Sequence, residues 1–271
     1  MNNFALIRQF YKPVQPTTKF WLDDVTYTEF CPAKELQDYI FCYWQLKTSY
    51  KLSEPFTYRV VPDGCIDIFF ELSKPHETFI MGLCKSYEEF SLPESFNYIG
   101  IRFFPSIFPH IYDIDASYLY GRFLDLKPVA PAISDFIAGN ICAVLPINEI
   151  KTRLDDYFSP ILTKKKTVPD KRFFEALINI ITKSGSVAVE SDLTTGLCPR
   201  HLRRYFQYYI GDTAKVFSKV IRFQHILNAK PSQQSLRKNK LFFNAGYYDQ
   251  AHFIKEFKSL SGLTPSQIFT H

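Results

Sequence analysis

Long apolar runs, clustered cysteines and a hydrophobic leader are absent from this 271-residue sequence. No run of about 18 apolar residues occurs, which argues against a membrane-spanning helix. The first 20 residues mix Arg8, Lys12 and Lys19 with Gln and Pro, so they do not have the pattern of a secretory signal peptide. The six cysteines are scattered without a CxxC pair, and this spacing predicts reduced thiols in the cytoplasm and no disulfide framework.

Histidine is also scarce in the first half of the chain. That half contains only His76 and His110, which stand 34 residues apart with no carboxylate at ligand spacing. A protein metal site needs several such ligands close together, so we expect neither a metal centre nor a cofactor. We also find no catalytic set of side chains in the sequence and therefore do not expect an enzyme.

Charge is present, and it is unevenly distributed along the chain. Residues 1–163 carry 14 basic and 20 acidic residues, a net charge of −6, whereas residues 164–271 carry 18 and 7, a net charge of +11. Two domains with these bounds fit both the chain length and the charge asymmetry. The basic half favours a polyanionic partner, and nucleic acid and an anionic membrane surface both stay open at this point.

The first half has the pattern of an antiparallel β-domain with an enclosed interior. Short aromatic and β-branched segments alternate with turn residues about every ten positions. In the segment from Cys65 to Phe70 the apolar content is nearly continuous, which favours a strand covered on both faces. We predict strands at Tyr39–Leu46, Tyr58–Val61, Ile66–Leu72, Thr78–Leu83 and Tyr98–Phe103.

After Pro128 the apolar residues recur at helical spacing. The stripes Ile133, Ile137, Ile141 and Ile150, Leu154, Phe158 either pack on the β-domain or form a dimer surface. A basic run at Lys164–Lys166, followed by Pro169, predicts an extended linker. Beyond the linker we predict seven helices, at Asp170–Lys183, Val189–Thr194, Pro199–Ile210, Thr213–Ala229, Leu236–Asn244, Asp249–Leu260 and Thr264–Phe269. The fold class is thus α+β.

Two segments of the helical half share one pattern. In each, a glycine closes a short helix and a new helix begins a few residues later, at Gly196 and again at Gly246. A sharp turn between two helices needs a residue that tolerates positive φ, and this is the requirement of a helix-turn-helix. The weak repeat at a separation of 50 residues is more informative than either copy alone.

The helices that follow these glycines are amphipathic with polar outer faces. The first has an apolar stripe of Leu202, Phe206, Tyr209 and Ile210, and its opposite face carries Arg200, Arg203, Arg204 and Gln207. Arginine side chains bind guanine edges or phosphate oxygens through two hydrogen bonds, so this face suits a DNA major groove. The second helix anchors through Phe253, Phe257 and Leu260, and we expect Asp249 to cap its first turn.

The residues Leu202-Arg203-Arg204-Tyr205-Phe206, the run from Gly246 to Lys258 and the segment Gly262-Leu263-Thr264-Pro265 resemble the DNA-binding domain of AraC/XylS-family transcription regulators. The resemblance implies two helix-turn-helix units on one long helix, which set two recognition helices into successive major-groove segments about 34 Å apart. Carried over by position, the DNA contacts would be Arg200, Arg203, Arg204, Gln250, Ala251, Ile254 and Lys255, with backbone N–H groups at Thr264 facing phosphate.

The segments Val60–Ile68 and Tyr98–Phe103 resemble the sensor domain of some of these regulators and imply a cupin-like β-barrel. Asp63, Asp67 and Arg102 are its polar residues among apolar strands. Such groups either pair with one another or contact a ligand, and both interpretations stay open.

We therefore expect a cytoplasmic regulator that binds double-stranded DNA, makes no use of a membrane, and is modulated by a small-molecule effector or by homodimerisation. As an activator it would also contact RNA polymerase. One alternative is a DNA-alkylation response protein with a methyl-accepting cysteine. Another is a DNA-binding interaction protein that senses nothing.

Overall fold

The chain has an α+β fold with its strands in the first half and most of its helices in the second. The computed structural model describes residues 4–15, 24–165, 170–232, 246–247 and 249–269. The strands are β1 Val25–Phe30, β2 Ile40–Thr48, β3 Phe56–Val60, β4 Ile66–Glu71, β5 Thr78–Met81, β6 Glu88–Leu92, β7 Asn97–Phe103 and β8 Phe123–Asp125. The helices are α1 Ala5–Phe10, α2 Ile107–Tyr112, α3 Pro131–Asn140, α4 Ile147–Lys164, α5 Lys171–Thr182, α6 Val189–Asp192, α7 Pro199–Ile210, α8 Ala214–Ala229, α9 Gln250–Ser261 and α10 Pro265–Phe269.

Two antiparallel sheets form the β-domain. In the described residues one sheet has the strand order β1-β2-β7-β4-β5-β8, and β3 pairs with β6 in a second, two-stranded sheet. The five predicted strands all occur within two residues of their expected bounds. The prediction missed β1, β6 and β8, because β1 and β8 lie at the edges of the large sheet and β6 begins with two glutamates, so none has a regular apolar alternation.

Strand β4 shows how this sheet is covered. On one face Ile66, Ile68 and Phe70 are buried in the main core. On the other face Asp67 and Phe69 are half-buried and turn towards the small sheet. The sequence predicted that both faces of β4 are covered. The face with Ile68 is fully buried, whereas the face with Asp67 is only partly buried, because a cavity lies there between the two sheets.

Six of the seven predicted C-terminal helices occur as α5 to α10, with bounds that agree to within two residues. The seventh, predicted at Leu236–Asn244, lies outside the described residues. Within the described ranges, every helix is too short or too polar to cross a lipid bilayer.

The main core runs through both halves of the chain. One continuous cluster of buried side chains extends from Phe4 before α1 to Ile221 on α8. The ring of Phe4 lies 5.2 Å from that of Tyr39 and 5.4 Å from that of Phe174 on α5, so α1 joins the β-domain to the helical half. Both halves contribute to this core, and a shared core is compatible with two domains or with one. The domain boundary at residue 164 therefore stays a prediction.

The apolar stripes of α3 and α4 face this core. Ile133, Ile137 and Leu154 are fully buried, and Phe158 packs edge-on against Phe103 of β7 at 5.5 Å. Of the two interpretations of these stripes, packing on the β-domain is the one observed. A homodimer would have to use another surface.

Candidate functional site

Helix α7 is anchored by its apolar stripe. Leu202, Phe206 and Ile210 are buried, and the half-buried ring of Tyr209 stacks on Phe173 of α5 at 5.0 Å. Pro199 stands in the first turn, where its missing N–H costs nothing. Cys198 is the N-cap and makes no side-chain hydrogen bond to the helix, so this helix lacks the stabilising cap that a serine would give.

The opposite face of α7 is exposed and basic. It carries Arg200, Arg203, Arg204 and Gln207, all of which are exposed. None of these three arginines forms an ion pair with any residue that the structure describes. Among the described residues, the acidic first half of the chain therefore contributes no ion pair to this face. Instead, the first half contacts the far end of α7, where the carbonyl of Ala116 lies beside Gly211.

Helix α9 has the same organisation with fewer charges. Phe253, Phe257 and Leu260 are buried, as predicted. The carboxylate of Asp249 accepts a hydrogen bond from the backbone N–H of His252 at 2.7 Å, which confirms its predicted role as the helix cap. The exposed face carries Gln250, Ala251, Ile254, Lys255 and Lys258. Thr264 is half-buried, and its backbone N–H donates to the side chain of Gln267 at 2.8 Å.

Both turns have the backbone that the glycine pattern predicts. Gly196 has φ +77° and Gly246 has φ +79°, a region that residues with a Cβ rarely occupy. In the first unit α6 precedes this turn, and its last carbonyl, that of Asp192, accepts a hydrogen bond from Asn179 of α5. The first helix of the second unit lies outside the described residues.

The second candidate site is the cavity between the two sheets, with a volume of about 240 Å³. Its lining is mainly aromatic. Phe123, at 45% exposure, is the most exposed of the rings and marks the opening. The lining residues are Trp44, Leu46, Tyr58, Val60, Asp67, Phe69, Phe79, Met81, Phe90, Ser91, Leu92, Tyr98 and Phe123.

Gly100 allows Trp44 to lie flat against the sheet. A Cβ at Gly100 would stand 1.9 Å from Cε2 of Trp44, so no larger residue fits at this position of β7. The indole packs between Tyr27 and Phe69, with ring centroids 6.1 Å away on each side. This close approach therefore fixes the position of Trp44 in the cavity wall.

Asp63, Asp67 and Arg102 form one buried cluster. Arg102 is 1% exposed and donates to Asp67 from Nε at 3.0 Å and from Nη2 at 2.7 Å. Its Nε lies 3.6 Å from the carboxylate of Asp63. The paired interpretation of these residues is thus observed, and of the three only Asp67 also lines the cavity.

Burial raises the pKa of Asp67, while the charge of Arg102 and its hydrogen bonds act in the opposite direction. The indole N–H of Trp44 also favours the ionised form, although it makes no hydrogen bond of normal geometry with the described residues. Nη1 of Arg102 is buried and has no hydrogen-bond partner among them either. Two carboxylates share one guanidinium here, so the cluster has one negative charge in excess when both are ionised.

A polar bridge joins this cluster to helix α8. The side chain of Gln15 donates to Asp63 at 2.9 Å and pairs with both backbone groups of Val61. One residue further on, the carbonyl of Pro62 accepts a hydrogen bond from Gln224 of α8 at 2.8 Å. Gln224 is fully buried and also accepts from the backbone N–H of Val14 at 2.7 Å.

Three of the cysteines are buried, and three are exposed. Burial raises the pKa of Cys42, Cys65 and Cys84, which opposes thiolate formation. Cys31, Cys142 and Cys198 are the exposed ones. Among the described residues, no three His, Cys, Asp or Glu side chains come together in a way that could hold a metal ion.

The sequence analysis missed the cavity walls and the bridge. The alternation along β4 places Phe69 on the same face as Asp67 and could have indicated one wall residue. Gln15 and Gln224 carry no such signal, because their partners are 46 and 162 residues away in the chain.

Comparison with known proteins finds one family and a set of solved structures. A family model described as a domain of unknown function (DUF6597) matches residues 28–125. No curated protein matches the sequence. Apo ToxT from Vibrio cholerae strain SCE256 is similar at 13% identity and a TM-score of 0.42, over 83% of this chain and 97% of that one. ToxT from Vibrio cholerae O395 bound to a naphthalenyl butenoic acid has 12% identity and a TM-score of 0.41, over 83% and 98%. These values are too low to transfer a fold or a function to this chain.

Proposed function

We propose that this protein is a sequence-specific DNA-binding transcription regulator whose two recognition helices are α7 and α9. The observation that carries the proposal is the exposed face of α7, where Arg200, Arg203 and Arg204 stand beside Gln207 without ion-pair partners among the described residues. A rigid helix with one buried and one basic face is the element that enters a major groove.

The second helix supports the same function with a different chemistry. Gln250 can pair with the edge of adenine, and Ala251 and Ile254 can contact the methyl group of thymine. Lys255 adds one positive charge on the same exposed face. We therefore expect α7 to supply most of the affinity and α9 to add sequence preference. The backbone N–H of Thr264 donates to Gln267, so a phosphate contact at this turn would require that hydrogen bond to open.

The cavity in the first half is the proposed effector site, with Asp67 as its charged contact and Asp63 and Arg102 behind it. An effector that moved Asp67 would act on Arg102 and Asp63, and through Gln15 on the segment that holds α8. Because α8 lies between the two recognition helices in the chain, its position affects how both of them meet DNA. Regulation would then pass from the cavity to the DNA-binding surface.

The alkyl-transfer alternative is less well supported by these observations. A methyl-accepting cysteine must form a thiolate, and burial works against this at three of the six cysteines. No ligand set for a metal that could activate the exposed thiols is found within the described residues.

The function can be tested by selecting bound duplexes from a random library with the purified full chain. We expect a protected tract of about two helical turns and an affinity that falls steeply with salt, because phosphate contacts release counterions. Arg203→Ala should weaken specific binding by about 1–3 kcal/mol where the side chain contacts a base. Binding is measured by fluorescence anisotropy.

Lys47→Ala is the matched control, since Lys47 is an exposed cation on β2 in the acidic half. It should leave DNA affinity unchanged. Equal losses in the two variants, or the absence of any protected tract, would refute the proposed function. An equal loss for Arg203→Ala on selected and random duplexes would assign this side chain to phosphate.

A further inference from the structure

The cavity between the sheets has a distinctive balance of charge. Its lining contains one carboxylate, that of Asp67, and no Lys, Arg or His among the described residues. Behind that carboxylate, Arg102 is shared between Asp67 and Asp63. An excess charge buried in this way is unfavourable, and either a proton on one of the carboxylates or a cation relieves it.

Within the part of the chain that the structure describes, no Lys, Arg or His other than Arg102 forms an ion pair with these two carboxylates. The Asp63 carboxylate is instead held by neutral donors, the side chain of Gln15 and the backbone N–H of Cys65, each at 2.9 Å. The two donors of Arg102 that reach Asp67 bind one side of its carboxylate as a fork. Asp67 lines the cavity, and its carboxylate keeps acceptor positions that Arg102 does not fill.

The rest of the wall presents aromatic faces. Trp44, Phe69 and Phe79 form a continuous row, with Trp44 and Phe69 centroids 6.1 Å apart and Phe69 and Phe79 centroids 5.9 Å apart. Phe123 stacks on Phe79 at 4.8 Å near the opening. The faces of such rings carry partial negative charge and attract cations, most strongly where water is excluded.

We propose that this cavity binds a small organic cation, with an ammonium group against Asp67 and an apolar or aromatic body between the rings. The ligand class rests on the proposed function, in which the cavity holds the effector. An anionic ligand would meet Asp67 and find no cation in the wall. A volume of about 240 Å³ is smaller than a pocket for a drug-sized molecule, so the ligand is small.

Three probes with one aromatic body and different charges test this proposal on the full chain. They are 2-phenylethylamine, 2-phenylethanol and 3-phenylpropionate, titrated at neutral pH by isothermal calorimetry. We expect the amine to bind at least tenfold more tightly than either of the others. Equal affinity for the alcohol, tighter binding of the carboxylate, or no binding of any probe would each overturn the proposal.

A charge placed at the cavity edge gives a second test. Phe123 stands at the opening and packs against the cavity rings Phe79 and Phe90, so Phe123→Lys would supply a cation from the protein itself. Phe123→Gln is the neutral control, since it removes the same ring without adding a charge. Amine affinity should be at least tenfold lower in the lysine variant than in the glutamine variant, and equal affinities would contradict the assignment. Asp67→Asn is less informative, because it also unpairs Arg102.

The same samples separate this proposal from the proposed function. DNA binding is measured without any amine, and amine binding is measured without DNA. If the protein binds duplexes but does not prefer the amine, the cation site is refuted and the proposed function stands. If it prefers the amine but binds no duplex, the cation site stands and the proposed function is refuted.

Discussion

At the scale of single residues, the close approach of Gly100 and Trp44 places one part of the cavity wall. Gly100 lies on β7 opposite Trp44 of β2 and Phe69 of β4, and only the missing side chain lets the indole cover it. The same indole lies beside Asp67, the charged residue of the lining. Gly100 thus positions Trp44, which is both a part of the cavity wall and a neighbour of the Asp67 carboxylate.

The Gly100→Ala variant should displace the indole, because the new Cβ would lie 1.9 Å from its Cε2. We expect the free energy of unfolding to fall by about 1–3 kcal/mol, the usual cost of overpacking. Urea denaturation measures this change.

Gly139→Ala is the control, since a Cβ at Gly139 of α3 would meet nothing within 4 Å. Replacing a helical glycine by alanine should leave stability unchanged or raise it by up to about 1 kcal/mol. Equal destabilisation by both substitutions would show that Trp44 does not constrain position 100.

At the scale of elements, helix α8 connects the DNA-binding surface with the β-domain. Phe217 of α8 lies so near Gly64 that a Cβ there would stand 2.8 Å from the ring. Gln224 holds the carbonyl of Pro62 and both backbone groups of Val14. A helix fixed at these points cannot shift without breaking hydrogen bonds in the first half.

Gln224→Met keeps the size of the side chain and removes its hydrogen bonds. The N–H of Val14 and the carbonyl of Pro62 then lose their side-chain partner. We expect a loss of about 1–3 kcal/mol in the free energy of unfolding, the cost of leaving a buried polar group unpaired. Denaturant titration is the measurement.

The exposed Gln9 of α1 provides the comparison as Gln9→Met, which should change stability by less than about 0.5 kcal/mol. If both variants are as stable as the original protein, the bridge through Gln224 contributes nothing and cannot carry a signal from the cavity.

At the scale of the whole molecule, the two halves differ in charge and share a core. The buried cluster that begins at Phe4 includes Phe158 of α4, Phe173 of α5 and Phe206 of α7. Side chains packed in one cluster unfold together more readily than side chains in separate clusters. The predicted boundary at residue 164 therefore need not be a boundary of folding.

We expect the full chain to unfold in a single transition in differential scanning calorimetry, with equal calorimetric and van't Hoff enthalpies. Two resolved transitions would contradict this and would indicate that residues 1–163 and 164–271 fold as separate units. A ligand of the cavity should raise the temperature of the single transition. In the two-transition case it would raise only one of them.

The sequence by itself determined the local features of this protein. Helix bounds, the positive φ of Gly196 and Gly246, the cap at Asp249 and the exposed arginines of α7 all follow from spacing along a few turns, and they could be predicted for that reason. The Asp–Arg pairing was one of two open interpretations, because sequence shows which polar residues lie in strands and not whether they meet.

Only the tertiary structure decided the cavity and its connection to α8. In the large sheet β2 pairs with β7, and β5 lies between β4 and β8. This strand order brings Trp44, Phe79 and Phe123 to one cavity. Gln15 and Gln224 approach the same short segment from opposite ends of the chain. Such contacts depend on the packing of whole elements, and packing is set by the total shape of the core, which no local pattern contains.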